Sequence, residues 1–169
     1  MSINAYNSAL LILRVMLGLT IAAHGYGKFF TGGRIPGTAG WFDSMGMKPG
    51  KVHALMAAST EVGAGLLLAA GLLTSLAAGA IVGLMVVAGY TVHRNNGFFI
   101  VKSGWEYNFV LAVVAVAIAI AGPGQWSLDD KLDLATKLDG LVGFLLSAVL
   151  GVVAGVGLLA AFYRPPAEA

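Results

Sequence analysis

The chain has 169 residues, of which 58% are hydrophobic and only 11% charged, with a formal net charge of +2. Soluble domains carry about 25% charged residues, and a chain this poor in polar groups cannot cover a water-facing surface, so most of its side chains are expected to face lipid or other apolar helices. The small net charge speaks against a nucleic-acid surface, and the absence of cysteine excludes disulfides, thiolate metal sites and cysteine-held iron–sulfur clusters.

The opening MSINAYNSALLILRVMLG lacks the basic segment that starts a secretory signal, so the first apolar run is expected to stay as a membrane anchor. Residues 10–30 supply about the 20 residues that a 30 Å hydrocarbon layer requires. They include Arg14, His24 and Lys28, which are too costly to face lipid. On a helix Arg14 and Lys28 fall within about 40° of each other, close to the stripe of Gly18 and Gly25, so this face is expected to look inward. Residues 31–51 are rich in glycine and hold Pro36 and Pro49, which predicts a surface loop. Within it, residues 38–47 suit a short interfacial helix carrying Trp41, Phe42, Met45 and Met47.

A second span, 52–73, has one acid, Glu61, near its centre, where a charge costs roughly 2.5–3.5 kcal/mol or more and needs a partner or a proton. The third, 74–92, follows almost without a loop and carries Gly79-x-x-x-Gly83, a pair that permits close helix contact. Residues 91–108 form a polar island with His93, Arg94, Lys102 and Glu106. A fourth span, 105–121, stops at Gly122-Pro123-Gly124, after which Ser127 and Asp129 are candidates to cap a short polar helix reaching Asp139. The fifth, 141–162, has Gly143, Ser147, Gly151 and Gly155 at four-residue spacing, a stripe that predicts close packing on the other helices or on another protein.

The expected architecture is therefore all-α: a polytopic four-helix membrane bundle over residues 1–139, plus an added transmembrane helix and short tail over 140–169. Five spans put the termini on opposite sides. Lys28, Arg34, Lys48, Lys51, Arg94, Lys102 and Arg164 fall on one side against Lys131 and Lys137 on the other, which favours an outer N-terminus and a cytoplasmic C-terminus.

Two readings of the buried charges follow. Glu61 and Arg14 form a structural ion pair joining the first two spans, or His24, Lys28, Glu61, His93 and Glu106 form a polar pocket able to donate to and accept from a quinone headgroup. The histidine spacing matches no tight haem or metal motif, so no metal site is expected. A small-molecule transporter is a further alternative kept open by the membrane charges, against which stands the lack of an inverted repeat.

Six ordered motifs add a resemblance. His24-Gly25-x-x-Lys28, Met45-Gly46-Met47-Lys48-Pro49, Glu61 with Gly65 and Gly71-Leu72-Leu73-Thr74, His93 with Gly97-Phe98-Phe99, Gly104-x-Glu106-Tyr107, and Gly122-Pro123-Gly124 with Ser127-Leu128-Asp129 resemble the signatures of the DoxX family of small bacterial membrane proteins. That family is typically a four-helix bundle, so the last helix is a departure whose expected role is docking. The resemblance implies an accessory or scaffold subunit, rather than a free-standing enzyme, of a quinone-linked respiratory or oxidoreductase complex in the bacterial plasma membrane. Its implied partners are the larger subunits of that complex and membrane lipids, and its implied ligand is a quinone.

Overall fold

A computed structural model describes residues 2–165, and the last four residues of the expected C-terminal tail lie outside it. Among the described residues eight helices, besides a 3-10 turn at Ile100–Lys102, account for the fold: α1 (Ile3–Phe30), α2 (Arg34–Met45), α3 (Gly50–Ala70), α4 (Thr74–Asn96), α5 (Glu106–Ala121), α6 (Leu128–Lys131), α7 (Ala135–Leu138) and α8 (Gly140–Phe162). Of these, α1, α3, α4 and α8 are long and apolar enough to cross a membrane. The fourth expected span is the shorter apolar α5, whose 16 residues reach about 24 Å. The chain is an all-α membrane-spanning protein.

Antiparallel neighbours follow from the short turns. α1 lies along α3, α3 and α4 form a tight hairpin, and α4 packs against α5 on one flank and α8 on another. Leu17, Ile21, Leu68, Ile81, Ala115 and Ile118 meet between α1, α3, α4 and α5 as the main core. Arg14, Gly18 and Gly25 are all buried on the inner face of α1, as the angular spacing predicts. Small residues set how near the helices come. A methyl group added at Gly25 would lie 2.6 Å from the Ala58 carbonyl oxygen and 2.9 Å from the Glu61 Cβ, and Gly18 meets Gly65 in the same way one contact further down.

The expected loop 31–51 is largely helical. α2 begins at Arg34, earlier than the 38–47 segment, because Pro36 sits in the first turn, where its missing N–H has no partner to lose. Its inner face brings Ala39 and Phe42, with Met47 beyond its end, onto Ala54 of α3 and Leu159 of α8. The backbone bonds Met47 N to Phe42 O (2.9 Å) and Arg164 N to Gly46 O (2.8 Å) tie the end of α2 to the end of α8. Two helices contain π turns, at Gly89–His93 in α4 and Leu145–Val149 in α8.

The side of the bundle that holds the N-terminus is closed by residues 122–139. Ser127 caps α6 as expected, accepting from Asp130 N at 3.1 Å. Asp129 does not cap its own helix. It is fully buried and caps α4 instead, accepting from Leu73 N (2.7 Å), Thr74 N (2.9 Å) and Thr74 Oγ1 (2.7 Å). The residue at the α4 N-cap position is Leu73, which has no side-chain acceptor, so the cap comes from 55 positions along the chain.

Candidate functional site

Two buried charge systems occupy opposite ends of the bundle. At the N-terminal side the Arg14 guanidinium is fully buried and donates to the carbonyls of Trp126 (2.8 Å) and Ala69 (3.4 Å), within electrostatic reach of Asp129. Gly71, at φ +66°, presses against this guanidinium, and any side chain there would displace it. Asn7 extends the network through two bonds to Gln125, at 2.8 and 3.0 Å. Arg14 and Asn7 thus tie α1 to residues 125–126, and the Arg14 bond to Ala69 ties it to the end of α3.

At the other end Glu61 pairs with Lys28, whose Nζ lies 2.6 Å from both carboxylate oxygens. The expected Arg14–Glu61 pair is therefore corrected. Two directions decide it. Side chains on a helix lean toward its N-terminus, so in the antiparallel α1 and α3 Lys28 leans down toward Glu61 while Glu61 leans up toward Lys28, and Arg14 leans away from both. The register does the rest: Gly25 is level with Glu61, and Arg14, eleven residues further down α1, is roughly 16 Å away along the axis.

Lys28 and Glu61 lie on the wall of a cleft of about 550 Å³. α3 and α8 both pack on α4 and leave this space between them, with Trp41, Phe42 and Met47 from α2 and its exit turn closing the α2 end. Its walls are apolar for most of its length, from Leu76 and Leu146 up to Leu158, and its polar groups, Lys28, His53, Thr60, Glu61 and Thr91, gather toward the α2 end. The volume falls within the ~300–1,000 Å³ typical of small-molecule sites. His53 is 3% exposed; its Nε2 donates to the Lys48 carbonyl at 3.3 Å, and its Nδ1 is buried without a partner. An ammonium that gives two bonds to Glu61 keeps a third N–H for an oxygen in the cleft.

The structure brings together only two of the five residues expected to form one pocket. His24 is exposed on α1 with its ring 6.5 Å from that of Tyr107. His93 donates through Nδ1 to the Ser103 carbonyl at 2.7 Å, and Glu106 accepts from Ile100 N at 2.8 Å. Both serve the folding of the loop before α5, and neither lines the cleft. His53 takes their place. Only its position, early in the second span beside Pro49, pointed to it, because a histidine one turn into a helix reads equally well as an interfacial residue.

Of the two expected roles of the α8 small-residue stripe, packing on the other helices is the one observed, and docking on another protein through this stripe is corrected. Ser147 is fully buried; Gly143 abuts the Ala119 carbonyl, and added methyl groups at Gly151 and Gly155 would lie 2.6 Å from Gly79 O and 3.0 Å from Gly83 O. The stripe meets the Gly79-x-x-x-Gly83 pair of α4 inside the molecule. What α8 turns outward is large and apolar, Leu141, Val153 and Val156 among others.

Among curated proteins and among solved structures, none matches the chain. The family comparison does. The DoxX family model matches residues 9–94, about half of the chain, covering α1 from its second turn through α2, α3 and most of α4, with the Lys28–Glu61 pair, His53 and the Gly79–Gly83 pair of α4 inside the match. The chain belongs to the DoxX family.

Proposed function

We propose that this DoxX-family protein is a membrane-embedded accessory subunit of a quinone-linked oxidoreductase in the bacterial plasma membrane, and that its cleft holds the quinone. The observation that carries this reading is the cleft itself, an apolar slot of about 550 Å³ ending at an ion pair that faces into it. A quinone has the same polarity pattern, an apolar isoprenoid tail and two oxygens at one end. The free N–H of Lys28 donates to a headgroup oxygen, Glu61 balances the ammonium, and the apolar walls between α3 and α8 take the tail. Electron transfer then belongs to a partner subunit, met through the apolar outer faces of the helices.

The same reading gives the chain a cytoplasmic C-terminus. With Lys28 drawn inside by Glu61, the α2 side still carries Arg34, Lys48, Lys51, Arg94, Lys102 and Arg164 against Lys131 and Lys137.

The test uses Trp41 on the cleft wall as the reporter, in a variant with Trp105 and Trp126 changed to Phe. A short-tailed benzoquinone is expected to quench it saturably, and Glu61→Gln to weaken binding roughly tenfold, the equivalent of about 1.4 kcal/mol. Quenching that never saturates, or that Glu61→Gln leaves unchanged, refutes the quinone site. Mild extraction from the native membrane without any co-purifying oxidoreductase subunit refutes the accessory role.

A further inference from the structure

We propose a second ligand site, separate from the cleft: a groove between α4 and α5 that takes one anionic phospholipid, its phosphate on Arg94 and its chain running toward Met85. The groove is an open surface depression of about 360 Å³ on the α2 side of the bundle. Its rim is Arg94, whose guanidinium carbon sits 4.0 Å from the centre of the Tyr90 ring. Tyr90 is in turn held edge-on against Tyr163 at 5.7 Å. Stacking fixes the guanidinium plane while leaving its N–H edge free, and among the described residues no carboxylate lies within salt-bridge distance of it. The one acid nearby in sequence, Glu106, is engaged with the Ile100 amide.

Below the rim the groove changes character. Met85 lies nine residues before Arg94 on α4, so the wall descends about 13 Å into the apolar layer. Phe109 and Ala112 form the facing side on α5. Trp105 stands at the mouth, packed edge-on against Phe98 at 4.7 Å, where an indole suits the headgroup boundary. Between rim and wall lies Asn108, 8% exposed, whose amide meets only the Met85 sulfur at 3.6 Å and whose Oδ1 is buried with no partner. A guanidinium with no carboxylate partner among the described residues, a half-satisfied carboxamide at ester depth and an apolar slot beneath match a phosphate-headed, acyl-tailed molecule. They do not match a zwitterionic lipid equally, because its choline would face the same cation.

The experiment reconstitutes the full chain, with Trp41 and Trp126 changed to Phe, in phosphatidylcholine vesicles containing dibrominated lipid, and reads quenching of Trp105. Brominated phosphatidylglycerol is expected to associate roughly tenfold more strongly than brominated phosphatidylcholine, the worth of one charge-assisted contact. Arg94→Gln is expected to make the two lipids equal. Arg94 is exposed, so its loss leaves the core intact; the comparison of two lipids on the unsubstituted Arg94 chain decides the matter even without that variant. Equal quenching by both lipids, or a preference that survives Arg94→Gln, overturns the site. Inorganic phosphate that erases the preference, when chloride at matched ionic strength does not, overturns the lipid assignment in favour of the free anion.

Discussion

Asp129→Asn is the most direct perturbation of the N-terminal side of the bundle. The carboxylate accepts three hydrogen bonds of 2.7–2.9 Å from Leu73 and Thr74 while fully buried. Asparagine has the same shape but one acceptor oxygen, so its NH2 group must face either the Leu73 N–H or the two Thr74 donors. Hydrogen bonds to a charged acceptor are worth about 1.5–3 kcal/mol each, and removing one partner of a buried charge system costs about 3–5 kcal/mol because the other charge stays. Arg14 is that other charge, with only the carbonyls of Trp126 and Ala69 left to it. The expected destabilisation is therefore about 3–5 kcal/mol, read as loss of helical signal during denaturant unfolding in mixed micelles. Asp130→Asn, one residue along and exposed, serves as the control and should stay within about 0.5 kcal/mol. In a cycle with Arg14→Met the two changes should couple by about 1–3 kcal/mol. A loss below about 1 kcal/mol for Asp129→Asn, or strict additivity with Arg14→Met, refutes the idea that this carboxylate both caps α4 and balances Arg14.

Gly151→Leu should break the packing of α8 on α4 within the monomer, since even a methyl there would lie 2.6 Å from Gly79 O, whereas Gly157→Leu, with open space around it, should be tolerated; equal stability of the two variants would return the stripe to an external role. Gly71→Ala combines a strained φ of +66° with a collision on Arg14 and should cost more than the roughly 1–3 kcal/mol of backbone strain alone, against a near-neutral Gly63→Ala in open helix surface. Glu61→Gln strands the Lys28 ammonium at membrane depth and should destabilise by about 3–5 kcal/mol, while the double change Lys28→Met with Glu61→Leu should recover most of that; failure of the double variant to recover would mean the pair does more than cancel its own charges. Because the chain has no cysteine, single cysteines at Lys102 and Lys131 report topology directly. An impermeant maleimide added to whole cells should label the Lys131 position and spare Lys102, and the reverse pattern would invert the orientation.

The sequence by itself determined the class of the molecule and the inner face of its first helix. Lipid admits only helices and closed barrels, and unbroken apolar runs of about 20 residues select helices, while the spacing of Arg14, Gly18 and Gly25 names one stripe whatever the neighbours are. Tertiary structure decided who meets whom. The Lys28–Glu61 pair depends on the register of α1 against α3 and on opposite side-chain lean, and neither is written in either helix alone. The cap that Asp129 gives to α4 joins positions 55 apart, so local spacing assigned it to the wrong helix end. The α8 stripe met the glycines of α4 because small residues specify close approach without specifying to what. Periodicity sets which face of a helix turns inward, but the partner of each buried charge is set by depth, direction and connection, which exist only once the helices have packed.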